Sequence, residues 1–235
     1  MRDVLAWLER RGSRRNRDGM ARYGIVAPRA FGVSMGTMQQ LARRLGRDHA
    51  LAVALWKTGW HETRILTSFV DEPERVTSAQ MDRWARDFNN WAVCDTLCFR
   101  LFDRTPYAWR KVAPWCRRRE EFVRRAGFAL VASLALHDKT APDARFRRCL
   151  PLIERCAVDE RNFVKKGANW ALRAVGRRSP ALNAAAIRTA RRLAASPSHA
   201  ARWVGRDALR ELTSPNVKRW LATHRIHTHS GSPIR

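Results

Sequence analysis

Acidic side chains are scarce in this sequence. It has 21 Asp and Glu against 46 Lys and Arg, so its formal net charge is +25 and its isoelectric point is about 11.6. Such an excess disfavours a cationic partner and favours a polyanion, because basic side chains release the counterions condensed on phosphates. Arginine outnumbers lysine, and its forked guanidinium suits phosphate oxygens. We therefore expect the partner to be nucleic acid.

Long apolar runs and cysteine pairs are also missing. No stretch reaches the roughly 20 apolar residues that a transmembrane helix needs, so we expect no membrane association. The five cysteines are odd in number and contain no CxxC spacing, which disfavours a disulfide framework and a zinc site. With no signal peptide in view, we expect reduced thiols and a cytoplasmic, nucleoid-associated protein.

The histidine-rich segment "HRIHTH" (224–229) is the remaining candidate for metal binding. Histidine is a common metal ligand, but nothing elsewhere in the chain completes a ligand set around this segment. We expect it to bind metal adventitiously at most, so the sequence predicts no functional metal.

No segment shows the alternation of a half-buried strand, whereas helical periodicity is widespread. Val123, Ala126, Leu130 and Leu134 recur at spacings of three and four, which places them on one helix face. Short breakers such as "DRTP" (103–106) separate the periodic segments. The sequence predicts an all-α protein.

The helical segments echo one another. "FVRRAGFALVASL" (122–134) and "FVKKGANWALRAV" (163–175) align without a gap at a period of 163 − 122 = 41 residues. "AARWVGRDALREL" (200–212) and "HETRILTSFV" (61–70) repeat the pattern more weakly. Periods near 40 are typical of HEAT-like arrays, in which stacked helices form a curved solenoid.

These repeats predict one HEAT-like domain over residues 1–221, whose first 28 residues form entry helices, and we expect the protein to be a monomer. Residues 222–235 are predicted to be a polar, flexible tail. Stacked repeats of this kind present a concave surface, and the charge of this chain predicts that the surface is basic and binds duplex DNA.

Two basic helix faces are candidates for DNA contact. Lys166, Trp170 and Arg173 share a stripe beside the apolar face of their segment, and Arg202 and Arg206 form a ridge at helical spacing. Either face has a plainer explanation. Trp170 can pack against a neighbouring repeat while the cations extend to water, and the ridge can be a solvated surface.

"WAVCD" (91–95) places Trp91 four residues before Asp95, hence on the same helix face. Packing of the indole and a surface ion pair for the carboxylate, with Arg100 or another cation, would be an ordinary arrangement. An acidic group in a DNA-binding cleft opposes binding, which instead favours a chemical role for Asp95.

These segments resemble the AlkD-like DNA glycosylases of the DNA alkylation repair family, which are HEAT-like-repeat proteins. The resemblance runs from about Met20 to about Leu212. It is carried, in order, by "MARY" (20–23), "LWKTGWHE" (55–62), "WAVCD" (91–95), "RRAGFAL" (124–130) and "KGANWALR" (166–173). One departure is Asn90, which stands where some relatives carry a second tryptophan.

The resemblance implies a role for each matching position. Asp95 would be the catalytic carboxylate, and Trp91 and Trp170 the aromatic pair beside the lesion. Arg125 would contact the DNA backbone and Arg173 would be a further DNA contact, while Tyr23 would line the same cleft. Lys166, the repeat counterpart of Arg125, joins the predicted DNA contacts together with Arg202 and Arg206.

The implied activity is cofactor-free hydrolysis of the N-glycosidic bond of cationic alkylpurines in duplex DNA, such as 7-alkylguanine and 3-alkyladenine. Asp95 would stabilise the oxocarbenium-like sugar and position water. The alternative is a non-catalytic HEAT-repeat protein that binds duplex or branched nucleic acid. Only the enzyme needs Asp95 for its function.

Overall fold

The structure is a computed structural model that describes residues 1–223. Fourteen α-helices and two 3-10 turns account for the regular structure of these residues, and no strand occurs among them. The prediction of an all-α protein is therefore confirmed. The predicted tail falls almost wholly on residues 224–235, including "HRIHTH", which lie outside the described residues.

The described residues divide into two compact units, one from Met1 to Leu130 and one from Val131 onward. The division falls inside a long helix, α9 (Glu121–His137). The sequence predicts one continuous domain over residues 1–221, and that remains a prediction. No helix among residues 1–223 combines the length and the apolar character that crossing a membrane would take.

The first unit contains eight further helices. They are α1 (Arg2–Arg11), α2 (Arg14–Met20), α3 (Met35–Leu45), α4 (His49–Lys57), α5 (His61–Val70), α6 (Ser78–Arg86), α7 (Trp91–Arg100) and α8 (Ala108–Cys116), with 3-10 turns at Ala21–Tyr23 and Phe102–Arg104. The central helix of this unit is α5, which packs against α3, α4 and α7. Its apolar face, including Ile65, Leu66 and Val70, is fully buried.

The second unit continues from α9 with five helices. They are α10 (Asp143–Cys156), α11 (Asn162–Gly176), α12 (Pro180–Ala194), α13 (His199–Leu212) and α14 (Pro215–Thr223). The helix α11 packs against α10, α12 and α13. All four echoing sequence segments are helical, in α5, α9, α11 and α13, as the repeat pattern predicts.

Close helix packing in both units depends on small residues. A Cβ added to Gly127 of α9 would lie 2.6 Å from the backbone nitrogen of Cys116 at the end of α8. A Cβ added to Gly205 of α13 would lie 2.6 Å from the carbonyl oxygen of Ala190 in α12. At each position the two helix backbones approach so closely that a side chain would push them apart.

Several of the ten tryptophans belong to the core of the first unit. Trp56 and Trp84 stack with ring centroids 4.6 Å apart, and Phe102 packs edge-on against Trp115 at 5.9 Å. Two of the buried indole N–H groups have acidic partners: Trp56 donates to Asp87 at 2.8 Å, and Trp115 donates to Asp82 at 2.9 Å. These tryptophans have structural roles.

Candidate active site

The helix that carries Trp91 and Asp95 begins at a defined side-chain cap. The Asn90 side chain is buried, and its Oδ1 accepts a hydrogen bond from the backbone nitrogen of Val93 at 3.1 Å. This cap satisfies one of the free N–H groups of the first helical turn. It places Trp91 at the first position of α7 and Asp95 one turn later, so Asn90 has a structural reason to replace the tryptophan of some relatives.

Trp91 connects α7 to the amino-terminal 3-10 turn. Its indole Nε1 donates a hydrogen bond to the backbone carbonyl of Tyr23 at 2.8 Å, and the indole is half-buried. The Tyr23 side chain itself is 72% exposed. The backbone of Tyr23 is thus hydrogen-bonded to the helix that carries Asp95, and the ring of Tyr23 is accessible to a ligand.

Asp95 forms a bidentate ion pair with Arg125 of α9. Arg125 Nε donates to Oδ1 at 2.8 Å, and Arg125 Nη2 donates to Oδ2 at 2.6 Å. The Asp95 side chain is 17% exposed and the Arg125 side chain 9% exposed. Two parallel hydrogen bonds fix the orientation of both planar groups, so the carboxylate is held rigidly.

The pair is coupled electrostatically as well as geometrically. Burial raises the pKa of the Asp95 carboxyl, and the hydrogen bonds and charge of Arg125 oppose that rise. Desolvation disfavours charge on Arg125 too, but Asp95 outweighs this effect and raises the pKa of Arg125. The ionised carboxylate therefore depends on Arg125.

Two buried thiols of α7 donate hydrogen bonds to the segment of α9 that carries Arg125. Cys94 Sγ donates to the carbonyl of Phe122 at 3.4 Å, and Cys98 Sγ donates to the carbonyl of Ala126 at 3.6 Å. Burial raises the pKa of both thiols, so they remain protonated donors near neutral pH. They hold the two helices in the register that brings Asp95 onto Arg125.

The cation paired with Asp95 is Arg125 rather than Arg100, the neighbour on the same helix. The Arg100 guanidinium lies over the Phe69 ring, 5.6 Å from its centroid. Arg125, assigned to the DNA backbone by the resemblance, is bound to Asp95 and mostly buried, and its contact with DNA stays a prediction. The ordinary ion pair considered from sequence is therefore present, which by itself neither requires nor excludes a chemical role for the carboxylate.

In the second unit, the predicted DNA contacts differ in how available they are. Arg173 of α11 pairs with Glu211 of α13 and lies 4.0 Å from Asp207. The guanidinium of Arg202 donates to the carbonyl oxygens of Ser196 and Pro197. Both arginines thus stabilise the unit itself. Their contact with DNA stays a prediction.

Lys166 and Arg206 are more accessible. Both side chains are exposed, and within residues 1–223 neither has an ion-pair partner. Trp170 is half-buried on α11. Of the candidates in this unit, Lys166 and Arg206 are therefore the two that can meet a phosphate without breaking an existing contact.

Two features of the second unit were not anticipated from its basic stripes. Asp207 and Glu211, four residues apart on α13, neutralise part of the positive charge of α11. Trp203, which is 40% exposed, lies 5.6 Å from the ammonium of Lys165. The acidic spacing was visible in the sequence, but nothing there identified its partners on another helix.

No group of three or more metal-ligating side chains occurs in the part of the chain that the structure describes. The carboxylate of Asp95 has a guanidinium for its partner, and a fixed charged group of this kind acts electrostatically.

Comparison with known proteins places the chain in a family. The family model described as "DNA alkylation repair enzyme" matches residues 4–212. The chain belongs to the DNA alkylation repair enzyme family. Among curated proteins, no sequence matches it.

A solved structure has the same fold as this chain. It is described as a new family of proteins related to the HEAT-like repeat DNA glycosylases with affinity for branched DNA structures. The identity is 20%, the TM-score is 0.72, and the match covers 81% of each chain. The predicted HEAT-like repeat fold is thereby confirmed.

The Asp95–Arg125 pair generates a stability prediction. Replacing Arg125 by leucine leaves a mostly buried carboxylate unpaired, so Arg125→Leu should lower the free energy of unfolding at pH 7 by roughly 3–5 kcal/mol. Without the arginine, burial raises the pKa of Asp95 further above its unfolded value. The folded state then binds the proton more tightly, so the deficit relative to wild type should shrink as pH falls through that pKa.

Urea unfolding of wild type and variant across pH measures this deficit. The matched control is Asp95→Asn/Arg125→Leu, which has no buried carboxylate and should lose the pH-dependent part of the deficit. If Arg125→Leu is as stable as wild type at pH 7, the ion pair does not support the fold.

Proposed function

We propose that this protein is a DNA glycosylase that hydrolyses the N-glycosidic bond of cationic alkylpurines in duplex DNA. Family membership supports a role in alkylation repair. The observation that carries the enzymatic proposal is the partly exposed Asp95 carboxylate, held rigidly by Arg125 one helical turn from Trp91 in a chain of charge +25.

The substrate class follows from what one carboxylate can do. A purine alkylated at N3 or N7 is cationic and departs as a neutral base, so it needs no general acid. The remaining task is to stabilise the positive charge that develops on the deoxyribose. A fixed carboxylate beside C1′ stabilises that charge and orients the attacking water.

Arg125 serves this chemistry in two ways. It opposes the effect of burial and so favours the charged carboxylate that the reaction requires. A guanidinium also has N–H donors in a forked arrangement that bonds carboxylates and phosphates alike, so Arg125 is suited to hold Asp95 and contact the DNA backbone. A DNA phosphate bound to Arg125 would weaken the neutralisation of Asp95 by the guanidinium. The carboxylate would then stabilise the positive charge on the sugar more strongly.

The resemblance also assigns roles to the other predicted residues. Trp91 and Trp170 would flank the lesion, and the exposed ring of Tyr23, whose backbone carbonyl accepts the Trp91 hydrogen bond, would line the same cleft. Lys166, Arg173, Arg202 and Arg206 would supply the DNA-backbone contacts of the second unit, on the predicted concave surface. The protein would act as a cytoplasmic, nucleoid-associated monomer without a cofactor.

A second candidate function is binding of branched DNA without base excision. The structural neighbour described above belongs to a family with that affinity. In the present chain, Asp95 has a structural partner in Arg125, so its presence has a second explanation. Base release from methylated duplex DNA separates the two functions.

Asp95→Asn is the decisive substitution. It keeps the shape of the side chain and removes its charge, so single-turnover release of 7-methylguanine should fall by at least about 100-fold while duplex binding holds or tightens. The matched control is Asp82→Asn, which breaks another carboxylate–cation pair, with Lys111 at 2.6 Å, and should leave release unchanged. Full release by a folded Asp95→Asn protein would exclude Asp95 from catalysis.

The lesion spectrum provides an independent prediction. Uracil and hypoxanthine are neutral and leave poorly without donors aimed at the base. The proposed mechanism assigns that task to none of the residues that the structure describes. We expect release of 7-methylguanine and 3-methyladenine, tolerance of bulkier cationic adducts, and negligible release of the neutral bases. Duplexes that differ only in the lesion, assayed at one salt concentration, measure this. Efficient uracil release would indicate a base-recognising pocket at the catalytic site.

A further inference from the structure

The first unit contains a pocket of about 260 Å³ whose lining residues differ from those of the candidate active site. Trp91, Asp95 and Arg125 do not line it. The lining residues are Glu9, Gly12, Ser13, Arg14, Arg17, Ala30, Phe31 and Trp60. They come from the α1–α2 junction, from the loop that precedes α3, and from the start of α5.

One wall of the pocket is held by a buried carboxylate. Glu62 of α5 is 1% exposed and accepts hydrogen bonds from three consecutive backbone nitrogens, those of Phe31 at 3.0 Å, Gly32 at 2.7 Å and Val33 at 3.2 Å. Charge-assisted hydrogen bonds of this kind are the strong ones. They fix the loop that presents Phe31 to the pocket.

The α1–α2 junction is joined to this loop by close backbone contact. Ser13 N donates to the carbonyl of Phe31 at 3.0 Å, and Asn16 Nδ2 donates to the carbonyl of Gly32 at 3.0 Å. Gly32 has a φ of +82°, which favours glycine. A Cβ on Gly12 would lie 2.6 Å from the Phe31 carbonyl oxygen, so glycine is required there for the walls to meet. The pocket is thus rigid and preformed.

Aromatic rings form its apolar surface. Phe31 and Trp60 stack with centroids 4.0 Å apart and planes 15° apart, and both are only half-buried. The guanidinium of Arg29 lies 5.7 Å from the Trp60 centroid. Partly exposed aromatic rings backed by a fixed loop are a suitable surface for stacking a nucleobase.

The charged residues of the pocket lining are two arginines and one glutamate. Arg14 has only a long, exposed contact with Asp18 at 3.7 Å, and exposed pairs of this kind contribute little. Arg17 is exposed and has no ion-pair partner within residues 1–223. Glu9 is the acidic member of the lining. A bare phosphate would be repelled by Glu9, whereas a nucleotide offers base N–H groups to it and a phosphate to the arginines.

We propose that this pocket binds an unpaired nucleotide of DNA, with the base against the aromatic pair and its phosphate on Arg14 and Arg17. A paired base cannot enter the pocket without leaving its stack. The protein therefore prefers DNA with an unpaired nucleotide, as at a flap or branch, over a continuous duplex. The inference rests on the DNA binding of the proposed function but not on base excision.

Binding of two DNAs tests the proposal. One is a continuous duplex, and the other is the same duplex with a short single-stranded flap. The first base of the flap is 2-aminopurine, whose fluorescence reports base stacking. Wild type should bind the flap DNA at least about fivefold more tightly, as expected when one base stacks on an aromatic side chain. The 2-aminopurine fluorescence should be quenched on binding.

Arg14→Glu/Arg17→Glu should bind the two DNAs with about equal affinity and should abolish the quenching. Arg43→Glu/Arg44→Glu carries the same charge change on exposed arginines of α3. This matched control should weaken binding to both DNAs equally and keep the preference. Trp60→Leu should lose the quenching, and thermal melts establish that each variant is folded.

The outcomes separate the pocket from the enzyme. Equal wild-type affinity for both DNAs, or displacement of the flap by millimolar inorganic phosphate alone, would overturn the pocket assignment. Release of 7-methylguanine from saturated duplex should be unchanged in Arg14→Glu/Arg17→Glu. A wild-type protein that prefers the flap but releases no base would refute the glycosylase and leave the pocket standing.

Discussion

The bidentate ion pair between Asp95 and Arg125 is the interaction on which the candidate site depends. It joins α7 to α9 at a point where both side chains are mostly buried, with contacts of 2.8 and 2.6 Å. An isolated charge at this depth would destabilise the fold, so each residue needs the other. The cap at Asn90 and the thiols of Cys94 and Cys98 maintain the helix register that the pair requires.

This pair also reconciles an acidic group with DNA binding. A carboxylate in a chain of charge +25 would oppose the approach of phosphates if it stood alone. Paired with Arg125, it is locally neutralised and oriented before any ligand arrives. Catalysis by a preorganised charge needs this combination, because a flexible carboxylate would have to be ordered during the reaction.

The fold was predictable because helical periodicity is a local property of the sequence. The spacing of Val123, Ala126, Leu130 and Leu134 identified the buried face of α9, and all four residues are in the core. The pairing of Asp95 with Arg125 was not predictable from periodicity, because the two residues lie 30 positions apart on different helices. Their proximity depends on helix packing.

The same limit applies to the second unit and to the aromatic pocket. The basic stripe of α11 marked Arg173 as a DNA contact, but only tertiary structure brings Glu211 of α13 against it. The motif "LWKTGWHE" contributed to the resemblance, but the task of Glu62 became clear only from the three backbone nitrogens around its carboxylate. Charge patterns indicated the surfaces, and packing determined which charges are available.

The most direct test of the account is the pH dependence of single-turnover 7-methylguanine release, measured between about pH 4 and pH 8 and corrected for the uncatalysed rate. Because burial raises the pKa of Asp95, wild type should gain activity through one deprotonation above the ordinary aspartate value of about 3.9. The residual activity of Asp95→Asn should lack that step. An identical ionisation in the Asn variant would show that another group controls the reaction and would contradict the assignment of Asp95.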